Sequence, residues 1–197
     1  MCKFNKIEYT ARESGGIFLS SDCEKCGISR TSLSSYARQG KLERIRRGVY
    51  LLPDYFEDEM FALQASVPGA VYSHNTALHL QGHSDRTPLI LEVTVPDNYN
   101  GTNLRKRGVQ VHRAPGGSHG IGITEVKTMY GNMVRVYEIE RTLCDILKPK
   151  ARIDIGIITD AFKQYARQKN KDMAKLSKYA KMLGVEQKVR SYMEVLL

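Results

Sequence analysis

Residues 30–50 concentrate side chains whose chemistry suits contact with a polyanion. They combine guanidinium and ammonium groups with small hydroxyl side chains, and no carboxylate interrupts residues 30–38. Short side chains let a helix approach base edges closely, and arginine can bind guanine or phosphate through two hydrogen bonds. The candidate contact residues are Arg30, Thr31, Ser34, Ser35, Arg38, Lys41, Arg44, Arg46, Arg47 and Tyr50.

The elements expected around these residues have the order of a helix-turn-helix. Apolar residues at helical spacing predict a first helix that ends at Gly15-Gly16, and a short second helix is expected to end at Cys26. Gly27 favours a turn, and Ser29 is a good N-cap for a third helix over residues 30–39. This order would present the third helix to DNA.

The third helix separates into two faces. Leu33, Tyr36 and Ala37 form a stripe that is expected to pack inward, which leaves the arginine and hydroxyl side chains on the other side. Residues 41–52 then form two β-prone runs on either side of Arg47-Gly48, which predicts a hairpin at the position of the wing in a winged helix. Because the alternation of apolar and polar residues fails near Ile45, the direction of each wing arginine stays open.

The charge of the chain supports a polyanionic partner. The 197 residues include 30 Lys and Arg against 21 Asp and Glu, a formal net charge of +9. The two ends, residues 1–52 and 149–197, are basic, whereas the segment between them is slightly acidic. Such an excess favours nucleic acid or an anionic membrane surface. No stretch approaches the roughly 18–20 apolar residues that span a bilayer, and no signal peptide is evident, so we expect a cytoplasmic protein without a membrane partner.

Four cysteines, Cys2, Cys23, Cys26 and Cys144, are too few and too scattered for a disulfide framework. The Cys23–Cys26 spacing resembles half of a zinc site, but no second pair follows. We therefore expect neither a metal nor a cofactor.

The rest of the chain predicts an α+β fold, in which a mixed domain with a small, partly antiparallel sheet precedes C-terminal helices. Helices are predicted over residues 56–67, 73–81 and 139–147, and strands over residues 89–95, 109–113, 127–130 and 133–137. Three helical stripes follow between about residues 150 and 197, and their outer faces form a possible secondary basic surface: Lys163, Arg167, Lys171, Lys175, Lys178 and Lys181. This surface could bind DNA, RNA or protein, or could simply be solvated.

The candidates for an enzymatic function are the histidines and carboxylates of residues 53–148. His79 and His83 have helical i, i+4 spacing, but no glutamate follows the first histidine, so packing or capping roles are expected. A restriction-type nuclease site would use Asp85 with Glu92 on a strand, but Thr94 stands where a lysine is required. No catalytic residue is therefore assigned. The glycine-rich segment 116–122 lacks the lysine of a phosphate-binding loop and is expected to be a mobile surface loop.

Three sequence segments resemble the AbiEi-type antitoxins of bacterial abortive-infection (type IV) toxin–antitoxin systems. They are the run from Ile28-Ser29-Arg30 through Gly40–Ile45 to Arg47–Tyr50, the run Ser73–Leu78 with Gly82, and the run Arg141–Leu147. The resemblance implies an antiviral-defence protein with two domains, a winged helix over residues 1–52 and an antitoxin domain over residues 53–197. It implies a transcriptional autorepressor that binds inverted operator repeats in double-stranded DNA, and a second domain that counteracts a nucleotidyltransferase-like toxin. Whether that toxin is contacted directly stays open. The alternative is a winged helix fused to a metal-dependent DNA nuclease domain.

Overall fold

The structure, a computed structural model, describes residues 3–115 and 117–196. Cys2 and Gly116 lie outside these ranges. The chain divides into two compact units, one formed by residues 1–68 and 127–134 and the other by residues 69–126 and 135–197. Helices accompany a three-stranded sheet and a five-stranded sheet in the described residues, so the predicted α+β class is confirmed.

The first unit contains the elements that carry the candidate contact residues. In chain order they are α1 (Lys3–Glu13), β1 (Ile17–Leu19), α2 (Cys23–Cys26), α3 (Arg30–Arg38), β2 (Glu43–Arg46), β3 (Val49–Leu51) and α4 (Glu59–Ser66). The sheet has the order β1-β3-β2 with antiparallel neighbours. Helix, short helix, turn, helix and hairpin therefore follow one another as the sequence predicts.

Local sequence explains where α2 ends and α3 begins. Gly27, after α2, has a left-handed conformation with φ of 65°, which glycine adopts without a steric penalty. The hydroxyl of Ser29 then accepts a hydrogen bond from the Ser32 amide at 3.2 Å and caps α3, as predicted. Leu33 is fully buried on the inner face of α3 and joins the core of α1 and the sheet through Ile7 and Phe18.

The second unit is built around a mixed sheet of order β6-β5-β4-β8-β7. Strand β4 pairs antiparallel with β5 and parallel with β8, and β5 pairs parallel with β6. Its elements up to the C-terminal helices are β4 (Val71–Tyr72), α5 (His74–Leu80), β5 (Glu92–Pro96), α6 (Thr102–Lys106), β6 (Gln110–Ala114), β7 (Ile123–Lys127), β8 (Met133–Tyr137) and α7 (Ile139–Ile146).

The prediction of a strand over residues 127–130 is wrong. Strand β7 comes earlier, at Ile123–Lys127, and the following residues form the turn into β8. The Thr128 amide donates to the Asn132 carbonyl at 2.8 Å and closes this turn. The helix predicted from residue 56 begins instead at Glu59, because Asp58 is its N-cap and accepts from the Phe61 amide at 3.0 Å.

Three C-terminal helices complete the second unit: α8 (Ile155–Arg167), α9 (Met173–Met182) and α10 (Glu186–Leu196). Asp172 caps α9 by accepting from the Lys175 amide at 2.8 Å. Buried side chains such as Phe162, Leu176 and Met193 pack with α7 in one apolar core. None of the helices in residues 3–115 and 117–196 is long and apolar enough to cross a membrane.

Candidate functional site

The predicted contact residues of α3 share one exposed face. Arg30, Thr31, Ser34, Ser35 and Arg38 are all exposed, opposite the buried Leu33. Local hydrogen bonds orient several of the hydroxyls, since Ser34 donates to the Arg30 carbonyl at 3.4 Å and Ser35 accepts from Gln39 at 3.1 Å. Neither arginine forms an ion pair within the described part of the chain, so both guanidinium groups are available to an external acceptor.

The β2–β3 hairpin and the residues that lead into it present three further cations. Lys41, Arg44 and Arg47 are exposed, and the Lys41 ammonium lies 5.5 Å from the centre of the Phe4 ring. Gly48 forms the tight turn with a φ of 74°, where a Cβ atom would lie 2.7 Å from the Ser20 hydroxyl. The register of β2 shifts between Arg44 and Arg46, which explains why the sequence alternation fails there.

Two of the predicted contact residues are placed elsewhere. Arg46 is half-buried, and its guanidinium donates to the Glu57 carboxylate at 2.8 Å. Tyr50 is 6% exposed and lies in the core with Leu42. An ion-paired arginine and a core tyrosine do not offer free groups to DNA, so we correct both assignments to structural roles.

Asp58, the N-cap of α4, is hydrogen-bonded to the turn at residues 128–132, which belongs to the same unit. Its carboxylate is buried and accepts from the Thr128 hydroxyl at 2.5 Å and the Asn132 amide at 2.9 Å, in addition to the Phe61 amide. A buried carboxylate with three donors is well compensated for its lost hydration.

The cysteine pair of α2 does not form a zinc site with other described residues. Cys23 is buried, and this burial raises the pKa of its thiol. Cys26 contacts the Thr10 hydroxyl with its sulfur at 3.6 Å. Both side chains pack in the core of the first unit.

Some of the cationic side chains on the secondary basic surface of the C-terminal helices have partners among the described residues. Lys175 lies 3.4 Å from the Glu138 carboxylate, which raises the pKa of the ammonium group, and Lys181 lies 3.9 Å from Glu186. Lys171 is half-buried and donates to the Gln168 carbonyl. The remaining members, Lys163, Arg167 and Lys178, are exposed.

The two carboxylates of the nuclease alternative differ in their surroundings. Asp85 is exposed and borders one cavity, whereas Glu92 is buried and borders another. Glu92 instead contacts His112 Nε2 at 2.7 Å, and Thr94 donates its hydroxyl hydrogen to Ser73 at 2.8 Å.

A cluster of three side chains in the second unit is not evident from the sequence. The ring of His74 stacks on that of His112, with centroids 3.5 Å apart and planes inclined by 15°, and ligand atoms of both lie within 4.8 Å of each other and of Glu92. Two stacked rings do not direct their in-plane lone pairs at one ion. The arrangement is a stacked pair in which each ring is hydrogen-bonded to another side chain, His112 to Glu92 and His74 to Ser73. Burial, with a contribution from His112, lowers the pKa of His74 to about 3. The three residues belong to α5, β5 and β6, and no short-range sequence spacing reports such a convergence.

The other predicted features of this unit have structural partners. His83 contacts Gln168 at 2.9 Å, consistent with the packing role expected for it, and burial lowers its pKa. In the glycine-rich segment, the carbonyl groups of Ser118 and Ile121 accept from the guanidinium of Arg141 at 2.9 and 3.0 Å. Arg141 is 1% exposed and also donates to Asp145 at 2.9 Å.

Comparison with known proteins identifies similarity over two different spans. No curated protein matches the sequence. The crystal structure of the RV2827C protein from Mycobacterium tuberculosis is similar in fold, with a TM-score of 0.58 and 12% sequence identity, over 95% of this chain and 79% of that one. Residues 5–53 match the family model described as transcriptional regulator, AbiEi antitoxin. The resemblance seen in the sequence is therefore confirmed for residues 5–53, the segment that matches the AbiEi antitoxin transcriptional-regulator family model.

Proposed function

We propose that the protein is a cytoplasmic transcriptional autorepressor that binds inverted repeats in its own operator through α3 and the β2–β3 hairpin. The observation that carries this proposal is the exposed face of α3, where two unpaired arginines flank small hydroxyl side chains. A helix with this composition can enter the major groove and contact base edges. The family match of residues 5–53 supports the regulatory role.

The hairpin serves as the wing in this proposal. Arg44 and Arg47 are exposed on it, and Lys41 precedes it, so three cations are available to phosphate groups. Phosphate contacts fix the register of a protein on the duplex without reading sequence, whereas base contacts specify. We therefore assign specificity to α3 and general affinity to the hairpin.

The experiment is a gel-shift titration of the full chain on its own upstream DNA and on a scrambled duplex of equal length. Arg30→Ala or Arg38→Ala should reduce discrimination between the two by about 1–3 kcal/mol if a base is contacted. Arg107→Ala, which removes an exposed arginine of the second unit, is the matched control. An equal loss of affinity for both duplexes would instead assign the α3 arginine to phosphate.

We further propose that the second predicted domain, residues 53–197, counteracts a nucleotidyltransferase-like toxin. The support is the resemblance of its sequence motifs to AbiEi-type antitoxins. Co-expression with the toxin encoded beside it tests this role without truncating the chain. The Arg30→Ala/Arg38→Ala variant should lose operator binding and still rescue growth, whereas simultaneous loss of both activities would show that they are not separable.

A further inference from the structure

Strand β6 forms one edge of the five-stranded sheet, and a large cleft runs along it. The cleft has a volume of about 1040 Å³, and its lining includes every residue from Gln110 to Pro115. Successive residues of a strand direct their side chains to opposite faces of the sheet. A cleft that borders all of these residues therefore follows the edge of the sheet rather than one of its faces.

The backbone of β6 has unused hydrogen-bonding groups at this edge. The Gln110 amide donates to the Leu91 carbonyl at 2.9 Å, and Gln110 pairs with Glu92 in the parallel register of β6 with β5. Because backbone groups alternate in direction along a strand, those of Val111 and Arg113 point away from β5. They have no hydrogen-bond partner in the described part of the chain. An extended chain that lies beside β6 can pair with these groups and lengthen the sheet.

The cleft carries a surplus of positive charge. Five cationic side chains and two carboxylates line it: Arg105, Arg113, Arg141, Lys148, Lys150, Asp97 and Asp145. Asp145 already pairs with Arg141 and Lys148. Arg105 and Arg113 are exposed and form no ion pair within the described residues. The surplus favours an acidic partner over a basic one.

The two exposed arginines lie on the same face of the sheet at this edge. Arg113 shares the face of Val111, two residues before it on β6, and donates to the Tyr99 carbonyl at 3.4 Å. A Cβ atom on Gly101 would lie 2.9 Å from the Val111 side chain and 3.3 Å from the Arg105 guanidinium, which places Arg105 beside Val111. A strand added next to β6 directs every second side chain to this face, where both guanidinium groups are available to carboxylates.

We propose that β6 is a docking edge for an extended acidic segment of a partner protein. The segment lies along the cleft as an additional strand, its backbone pairs with Val111 and Arg113, and its alternate carboxylates lie at Arg105 and Arg113. The inference goes beyond the proposed function and does not depend on it, because the docking edge belongs to the second unit and not to α3 or the β2–β3 hairpin.

Fluorescence anisotropy of a labelled six-residue peptide of alternating glutamate and valine, titrated with the full chain, tests the proposal. At about 3.3 Å per residue this peptide spans the five residues of β6. We expect one peptide per chain and a loss of affinity of about tenfold or more in Arg105→Ala/Arg113→Ala. The matched control, Arg107→Ala/Arg167→Ala, removes two exposed arginines outside the cleft and should stay within about twofold. Equal weakening by both pairs, or a Kd above about 1 mM for the unmodified chain, would overturn the site.

Hydrogen exchange distinguishes strand addition from attraction between charges alone. At saturating peptide the amides of Val111 and Arg113 should exchange more slowly by about tenfold or more, because they gain hydrogen bonds. The Gln110 amide, which is already bonded to Leu91, should change by less than about twofold. Methylation of the peptide's backbone nitrogens, one at a time, should weaken binding at every second position. Unchanged exchange at Val111 and Arg113, or an equal effect of methylation at all positions, would refute strand addition.

Two further probes test the acidic preference and the class of partner. A peptide with lysine in place of glutamate should bind about tenfold more weakly or worse, and equal affinity would refute the acidic preference. An oligouridylate of the same net charge has no backbone amides to pair with β6 and should bind more weakly than the glutamate peptide. Equal or tighter binding of the oligouridylate would make the edge a nucleic-acid surface and overturn the proposal. None of these results depends on operator binding.

Discussion

Arg46 and Arg47 are adjacent residues with the same charge, but their surroundings differ. The Arg46 guanidinium lies 2.8 Å from Glu57 and 3.8 Å from Glu59, and its side chain is 14% exposed. Arg47 is exposed at the turn of the hairpin and forms no ion pair with any described residue. Replacing each of them separately with alanine therefore distinguishes a structural role from contact with DNA.

The expected magnitudes follow from these surroundings. Arg46→Ala removes a partly buried, charge-assisted hydrogen bond, but Glu57 remains 35% exposed and can be hydrated. The free energy of unfolding should therefore fall by about 1–2 kcal/mol, at the low end for charged pairs. Arg47→Ala should change it by less than about 0.5 kcal/mol, since the side chain packs against nothing that would be left unsatisfied.

DNA binding should show the opposite pattern, with a larger effect of Arg47→Ala than of Arg46→Ala. If Arg47 neutralises one phosphate, its loss reduces the slope of log K against log salt by about 0.9. Arg46→Ala should leave that slope unchanged when binding is measured well below the unfolding transition. Arg44→Ala is the internal control, because Arg44 is exposed on the same hairpin and should behave like Arg47.

Urea unfolding and gel-shift titrations between 50 and 300 mM salt measure both quantities on the same three variants. A full loss of one slope unit in Arg46→Ala with unchanged stability would refute the correction of its role. An unchanged slope in both Arg44→Ala and Arg47→Ala would refute the assignment of the hairpin as the wing.

Three further predictions concern stability. Asp58→Ala removes a helix cap and leaves two buried donors unpaired. It should therefore lower the free energy of unfolding by about 3–5 kcal/mol in urea titrations. A decrease below about 1 kcal/mol would contradict the hydrogen-bond network around Asp58. Arg141→Met should lower the free energy of unfolding by about 3–5 kcal/mol in the same assay. The reason is that the guanidinium, in a side chain that is 1% exposed, donates to Asp145 and to two loop carbonyls. An unchanged free energy would show that apolar packing by methionine replaces these hydrogen bonds. The folded pKa of His74 is about 3 against an ordinary 6.5, so the unfolded chain binds a proton that the folded chain does not between these values. The stability due to His74 is therefore complete above pH 6.5 and lost as the pH falls, and His74→Gln should flatten the pH dependence in that window by up to about 1.4 kcal/mol per pH unit; an unchanged profile would indicate a hydrated ring.

Local signals account for how well the first unit could be predicted. Gly27 and Ser29 determine the turn and the start of α3 through backbone conformation and a side-chain cap, both of which act within three residues. The failed alternation near Ile45 marked the register shift of β2. Arg46 and Tyr50 were predicted to contact DNA, but Arg46 pairs with Glu57 and Tyr50 packs in the core. Both contacts depend on residues outside the hairpin, which local patterns do not report.

The second unit was less predictable because its site is formed by distant segments. His74 follows β4 and His112 lies on β6, and the two meet because β4 and β6 pair with opposite edges of β5. No local spacing encodes these long-range pairings. Strand β4 has two residues, Val71 and Tyr72, and escaped prediction because so short a run has no detectable period. The prediction of a strand over residues 127–130 was wrong because the residues after Lys127 form the turn into β8.

The central claim is that the exposed face of α3 reads an operator sequence. The most direct measurement is the ratio of affinities of the full chain for its own upstream DNA and for a scrambled duplex at 150 mM salt. The account predicts a ratio of about 10³ or more, which falls toward unity in the Arg30→Ala/Arg38→Ala variant. Equal affinity of the unmodified chain for both duplexes would contradict it.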